Sequence, residues 1–224
     1  MKQETHIADI LNTKLRQLGS TLDILQESND IGEQIASLGV EDRFVEIIRV
    51  REEKEIWVSF YCDSVFLPSA DFSDITEVAN IIFEFLALKI SVRDFLNTYC
   101  KSPIDISNLA SDDDILLELY WFYFLQPSKY DMYDSKKWLI VVEFAKTIES
   151  IAKVKKLNPY RSIDRLCFTL DRRFNTGNFP CIWFSSREKD ISIFSIGYYD
   201  GTKLQSGTAE EIQNIFKELI LSET

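Results

Sequence analysis

The residues of this chain best equipped to act on a ligand stand in the stretch Asp171-Arg172-Arg173-Phe174-Asn175-Thr176-Gly177-Asn178-Phe179-Pro180. The guanidinium groups of Arg172 and Arg173 can neutralise phosphates, and the rings of Phe174 and Phe179 can stack on exposed bases, as single-strand binders do. Arg161, Arg165 and Trp183 extend the same combination to either side. The stretch also reads as a β-hairpin, because glycine and asparagine tolerate the positive φ that a tight bend needs. In that hairpin Leu166, Phe168 and Leu170 face inward, and Arg165, Thr169 and Asp171 face out. Asp164, Asp171 and Glu188 dilute the positive charge, which favours the hairpin over nucleic-acid contact.

Carboxylates offer a second chemistry. Asp112, Asp113 and Asp114 could in principle hold a hard cation, but consecutive helical residues point about 100° apart and cannot converge on one ion. In the first turn of a helix they offset the positive end of the dipole instead. A nuclease-like arrangement of an acid with E-x-K could draw on Glu46, Glu53 and Glu55. Glu53-Lys54-Glu55 reads more simply as a solvated turn. His6 is the only histidine, so Ser–His–Asp or Cys–His machinery would rest on one residue near a terminus. No G-x-S-x-G, glycine-rich phosphate loop, dinucleotide fingerprint or H-E-x-x-H is present. No catalytic residue, cofactor or metal is expected.

Charge decides between the remaining function classes. The formal net charge of −11 opposes non-specific attraction to nucleic acid or to an anionic membrane. One segment departs from this. Residues 152–189 carry nine Lys or Arg against three acids, a local surplus that keeps nucleic acid open as a partner there. Elsewhere acids gather, at Glu27, Asp30, Glu33, Glu41 and Asp42, and again at Asp63, Asp71 and Asp74. Such a face is complementary to a basic protein, speeding encounter and setting register. The leading expectation is a non-catalytic, acidic protein-binding module of inhibitor or immunity-protein character. It would use Glu27, Asp30, Glu33, Glu41, Asp42, Asp71 and Asp74 with some exposed aromatics. The alternative is a nucleic-acid-binding accessory using Arg161, Arg165, Arg172, Arg173, Phe174 and Trp183. A metal-dependent hydrolase comes third.

Cys62, Cys100, Cys167 and Cys181 are widely spaced, with no C-x-x-C pair, and read as buried thiols of a reducing compartment. The opening Met1 to Ile10 lacks the apolar run of a signal peptide. The apolar run 115–125 falls short of the ~20 residues of a membrane helix. A soluble, cytoplasmic protein without a membrane partner is expected.

The elements that would position these residues follow from periodicity. Ile7, Ile10, Leu11, Leu15 and Leu18 predict a helix closed by Gly19. Leu22, Leu25, Ile31, Ile35 and Leu38 predict a second, stopped at Gly39 and weakened at Gly32. Residues 44–50 and 56–62 are β-branched and aromatic and predict a hairpin with a charged turn. Ile56, Val58, Phe60 and Cys62 share one of its faces, and Trp57, Ser59 and Tyr61 the other. Helices follow from Ser73 or Asp74 and from Ser91. Another is bounded by a Ser111/Asp114 capping box and Pro127, and one spans 135–157. The run Tyr120 to Phe124 covers more than one helix face, so it is either enclosed or docks a partner. Strands at 163–174, 181–186 and 191–199 and a helix at 209–221, capped by Thr208, complete the chain. The fold class is α+β: a helical body with an inserted β-hairpin, then a three-stranded antiparallel meander and a C-terminal helix. Asn158-Pro159 marks the domain boundary, giving 1–157 and 158–224, unless the sheets merge into one continuous domain 1–224.

Overall fold

The computed structural model describes residues 6–28, 33–50, 56–72, 74–126, 135–162, 165–170, 180–184, 194–198 and 202–222. Among them the chain forms six α-helices and two antiparallel sheets of five strands each, a mixed α+β fold. It divides into two compact units, Met1–Leu119 and Tyr120–Thr224. Among the described residues no helix is long and apolar enough to cross a membrane.

The first unit opens with α1 (Ile7–Gln17), which buries Ile7, Leu11 and Leu15. Gly19, at φ +80°, closes it: its N–H donates to Arg16 O (3.0 Å), and Ser20 N–H donates to Leu15 O (2.9 Å). The helix expected over 22–38 is not formed. That stretch makes β1 (Leu25–Ser28) and β2 (Glu33–Val40). The reason lies in two glutamines. Gln34 is buried and its side-chain oxygen accepts the N–H of Ile7 (2.9 Å), while that of Gln26 accepts the N–H of Ala8 (3.4 Å). The first-turn donors of a helix have no partner within it, so the strands supply one. Inward glutamines hide the period-2 pattern that would reveal a strand.

The expected hairpin is therefore the middle of a larger meander. β3 (Arg43–Val50), β4 (Ile56–Cys62) and β5 (Val65–Phe72) continue it in the order β1-β2-β3-β4-β5. Val45, Ile47, Val58, Phe60 and Leu67 form the core face. Against it lie α2 (Ile75–Ile82), a π-helical continuation (Phe83–Ala87) and α3 (Val92–Tyr99). Phe60, Phe85 and Phe95 meet there as a three-ring cluster, with centroids 4.8–5.3 Å apart. α4 (Asp112–Leu125) begins in this unit with the expected capping box, Asp114 N–H to Ser111 Oγ and Ser111 N–H to Asp114 Oδ2, both 3.2 Å. Asp112 serves a different helix: its carboxylate accepts the N–H of Val92 (2.7 Å) and of Arg93 (3.3 Å) at the start of α3. The aspartate triplet thus works partly at helix N-termini, where negative charge is stabilising.

The second unit contains the end of α4, then α5 (Ser135–Val154), β6 (Asn158–Ser162), β7 (Arg165–Thr169), β8 (Pro180–Phe184), β9 (Phe194–Tyr198), β10 (Lys203–Gly207) and α6 (Ala209–Ser222). Its sheet runs β10-β9-β8-β7-β6, five strands where three are expected from sequence. Asn158 and Pro159 open β6 inside this unit. Pro159 lacks an N–H for a ladder, and β6 is an edge strand, where that loss is tolerated. β10 is short, polar and exposed, so it carries little of a strand's apolar signature. One face of the sheet meets the helices: Phe168 lies 4.8 Å from Phe216 of α6, and Phe194 lies 5.1 Å from Phe144 of α5. The other face is also enclosed, with Tyr160, Cys167, Cys181 and Trp183 forming one buried cluster. Burial on both faces explains the near-continuous apolar runs Leu166-Cys167-Phe168 and Cys181-Ile182-Trp183.

Trp121 is fully buried, and its indole N–H donates to Leu157 O (2.9 Å). Tyr120, Phe122, Tyr123 and Phe124 beside it are half-buried. Trp121→Phe keeps an aromatic ring but removes the donor from a buried carbonyl. The expected loss is about 1–2 kcal/mol in equilibrium urea unfolding. A variant as stable as the parent would show that the bond contributes nothing.

Candidate functional site: the outer face of the first sheet

Strand alternation and register arrange the side of the first sheet opposite its core into three cross-strand rows. In the first, Gly39 pairs with Phe44, Phe44 with Tyr61 and Tyr61 with Phe66. In the second, Ser37 pairs with Glu46 and Glu46 with Ser59. In the third, Ile35 pairs with Ile48 and Ile48 with Trp57. The row with Glu46 at its centre, met at the β1 edge by Leu25 opposite Ser37, thus lies between an aromatic row and a row of Ile35, Ile48 and Trp57 that continues to Asp71 of β5. The rings of the first row touch in sequence, Phe44 to Tyr61 at 5.8 Å and Tyr61 to Phe66 at 5.6 Å. Such contacts contribute beyond buried area and hold the rings in place.

This face meets solvent in part: Ser37 of the middle row is buried, and Glu46, Ser59 and Tyr61 are half-buried. Phe44 is 38 % exposed, Trp57 43 % and Leu25, at the β1 edge, 64 %, whereas inward Val45 and Val58 are fully buried. Glu27 stands where the β1–β2 register shifts, and its carboxylate accepts a hydrogen bond from the hydroxyl of Ser37. This extends the polar row to a second acid. Partial burial, and secondarily the charge of Glu46, push the Tyr61 phenol above its ordinary range; a hydrogen bond with Ser59 acts the other way.

The acids singled out from sequence spread over the first unit. Glu27 is on the outer face. Glu41 and Asp42 form the β2–β3 turn, where Glu41 pairs with Lys89 and Asp42 accepts from the thiol of Cys62 (3.6 Å). Asp74 lies at the other end of the sheet and is engaged as N-cap of α2, accepting from Thr76 N–H (2.8 Å). The two ends are about 20 Å apart over a seven-residue strand. Glu33 belongs to β2 and Asp71 to β5, opposite Trp57. Asp30 lies outside the described residues. The structure therefore brings together Glu27 and Glu46 with Phe44, Trp57, Tyr61 and Phe66. Glu46 enters the sequence reading only as a candidate nuclease acid. The shared outward parity of Phe44, Glu46 and Ile48 with Trp57, Ser59 and Tyr61 is the signal that would have identified the face.

Of the basic set, Arg172, Arg173 and Phe174 lie outside the described residues. Arg161 belongs to edge strand β6. Arg165 stacks over Trp183, 5.2 Å from the ring centroid, and Trp183 is only 7 % exposed. Its ring is part of the buried cluster rather than an open stacking platform. Among the described residues no group of three His, Cys, Asp or Glu is placed to hold a metal ion. His6 is half-buried at the N-cap of α1, with Nδ1 enclosed and making no hydrogen bond.

All four cysteines are thiols, and three of them are buried. Burial pushes Cys62 up to about 12, with smaller contributions from its carboxylate neighbours Asp42 and Asp63 that Arg43 opposes. Burial alone pushes Cys100 up to about 11. A hydrogen bond with Cys167, and then burial, raise Cys181 as well. Because these folded-state values lie above those of the unfolded chain, the stabilisation is complete below the ordinary thiol range. It is lost as pH rises from about 9 toward 11–12, where the unfolded chain ionises first. Thermal melts should fall steadily across that window, and less steeply in a Cys62→Ala/Cys100→Ala variant. An identical slope in the variant would show that other groups carry the effect.

Comparison with protein-family models, with curated proteins and with solved structures finds no match for this chain.

Proposed function

We propose that this chain is a non-catalytic protein-binding module of inhibitor or immunity-protein character, and that it docks a basic protein on the outer face of its first sheet. One observation carries the reading. A contiguous row of aromatic rings lies beside a row bearing Glu46 and Glu27, on a sheet face left half-open to solvent. Aromatic residues are enriched where interfaces bury their centres, and carboxylates among them select a cationic partner. The net charge of −11 adds long-range attraction for the same partner. The thiols fit a reducing compartment, and the reading places the protein in the cytoplasm.

The test is affinity capture from the native host with the parent chain and with a Phe44→Ala/Glu46→Lys/Trp57→Ala variant, followed by reconstitution from purified components. The parent is expected to retain a basic protein that the variant releases, with binding that weakens as salt rises. Equal retention by both chains would remove the face from the function. Retention of single-stranded nucleic acid that is abolished by Arg172→Glu/Arg173→Glu would transfer the function to the basic segment.

A further inference from the structure

The chemistry of this face is more selective than a requirement for positive charge. We propose that the group it takes from its partner is an arginine side chain, laid across the polar row with its guanidinium at Glu46 and its flat surface against the flanking rings. This rests on the basic-partner reading and narrows it.

Three features carry the inference. The first is spacing. Successive outward residues of one strand are about 7 Å apart, so Glu46 stands one such step along β3 from the Phe44–Tyr61–Phe66 row and one from the Ile48–Trp57 row. A side chain bound there must satisfy a carboxylate and an aromatic surface at once. Guanidinium does both: it is planar, forms paired hydrogen bonds to a carboxylate and stacks on rings, whereas an ammonium is a compact, strongly hydrated charge. The second is charge. Among the described residues of the three rows there is no Lys or Arg, while the central row holds Glu46 and Glu27. The third is that, among the described residues, rings of this chain already hold guanidinium groups at close range, Arg43 over Phe85 at 4.9 Å and Arg165 over Trp183 at 5.2 Å, whereas the ammonium of Lys153 lies farther from its ring, 6.0 Å from Trp121. At Arg43, which is buried, the ring holds the guanidinium in a poorly solvated setting, where cation–π attraction is strongest.

The test titrates the full chain with fluorescently labelled peptides of equal length, bearing at the same positions arginine, lysine (which matches its charge) or uncharged citrulline. The arginine peptide should bind about tenfold more tightly than the lysine peptide, and citrulline should abolish binding. Glu46→Gln should erase most of the arginine preference, and Trp57→Ala should reduce it. Circular dichroism and melting of both variants confirm that they fold. Equal binding of arginine and lysine peptides overturns the inference while leaving a basic partner in place. Failure of all three peptides also overturns it, and the host-capture experiment separately decides the fate of the broader reading. Sedimentation of the parent chain supplies the last outcome. Self-association that the same variants abolish would make a second copy the occupant and end the proposal.

Discussion

Gly197→Ala should abolish the stable fold of the second unit. A Cβ added at position 197 would stand 2.0 Å from the carbonyl oxygen of Thr202, 2.6 Å from Cζ3 of Trp183 and 2.8 Å from Cα of Lys203. Two of those three atoms are backbone, so no rotamer change relieves the overlap. Moving the chain away would break the bond from Tyr198 N–H to Thr202 O (2.8 Å) and the pairing of Gly197 with Lys203, just where the β9–β10 register already shifts. Moving Trp183 instead would open the buried cluster it shares with Tyr160, Cys167 and Cys181. Ordinary overpacking costs about 1–3 kcal/mol. An overlap against backbone on one side and a buried ring on the other should exceed that range and consume much of a typical domain's 5–15 kcal/mol. Hydrogen exchange should show β8, β9 and β10 losing protection. Gly39→Ala is the control, because its Cβ would meet Phe44 Cδ2 at an ordinary 3.5 Å, and it should leave stability nearly unchanged. A Gly197→Ala protein melting within about 1 kcal/mol of the parent would show that the strands part more easily than their packing implies.

What could be read from sequence follows the physics of each element. Helices with their own stop and start chemistry were legible. The Ser111/Asp114 box, the Asp74 cap, the Ser91 start, the Thr208 cap and the Gly19 closure all appear where their side chains require, because capping is a local interaction between residues close in sequence. The strands that no local pattern announces owe their existence to distant partners. β2 turns a glutamine inward to serve a helix 27 positions away. β6 begins with Asn-Pro, a pair more typical of a loop, and is held by Asn158, whose amide donates to Thr169 O (3.2 Å) across the sheet. β10 has almost no buried residue to announce it. The outer face was half legible: parity alone places Trp57 with Tyr61, but only the register of β3 brings Phe44 and Glu46 beside them. The acidic cluster, conspicuous in sequence, disperses because Asp74 and Asp42 are drawn into local hydrogen bonds.

The same dependence on distant partners makes Arg43→Met the second large effect expected. Arg43 is 8 % exposed, and its Nη1 donates to Phe85 O (2.7 Å) while the guanidinium lies 4.9 Å from the Phe85 ring. Phe85 belongs to the π-helical turn that ends α2, where Leu88 N–H reaches back to Phe83 O and Ile90 N–H to Glu84 O. At such a helix end carbonyls outnumber the chain's own donors, and the dipole favours a cation. A buried arginine from the sheet meets both needs, and this is why a charged residue is tolerated at the inward position of β3. Methionine preserves the stem and much of the packing but withdraws the donor and the charge. The loss should be about 2–4 kcal/mol, summing a charged hydrogen bond and a desolvated cation–π contact. Arg43→Lys should fall between, since an ammonium can donate but cannot stack flat on Phe85. Arg43 is also the residue before Phe44, so loosening this end of β3 should disturb the Phe44–Tyr61–Phe66 row. Arginine-peptide affinity should then fall at temperatures where the variant is still folded. An Arg43→Met chain that unfolds in urea like the parent would mean the π-turn holds its shape without help from the sheet. Unchanged peptide binding in that chain would mean the outer face is positioned independently of the core beneath it.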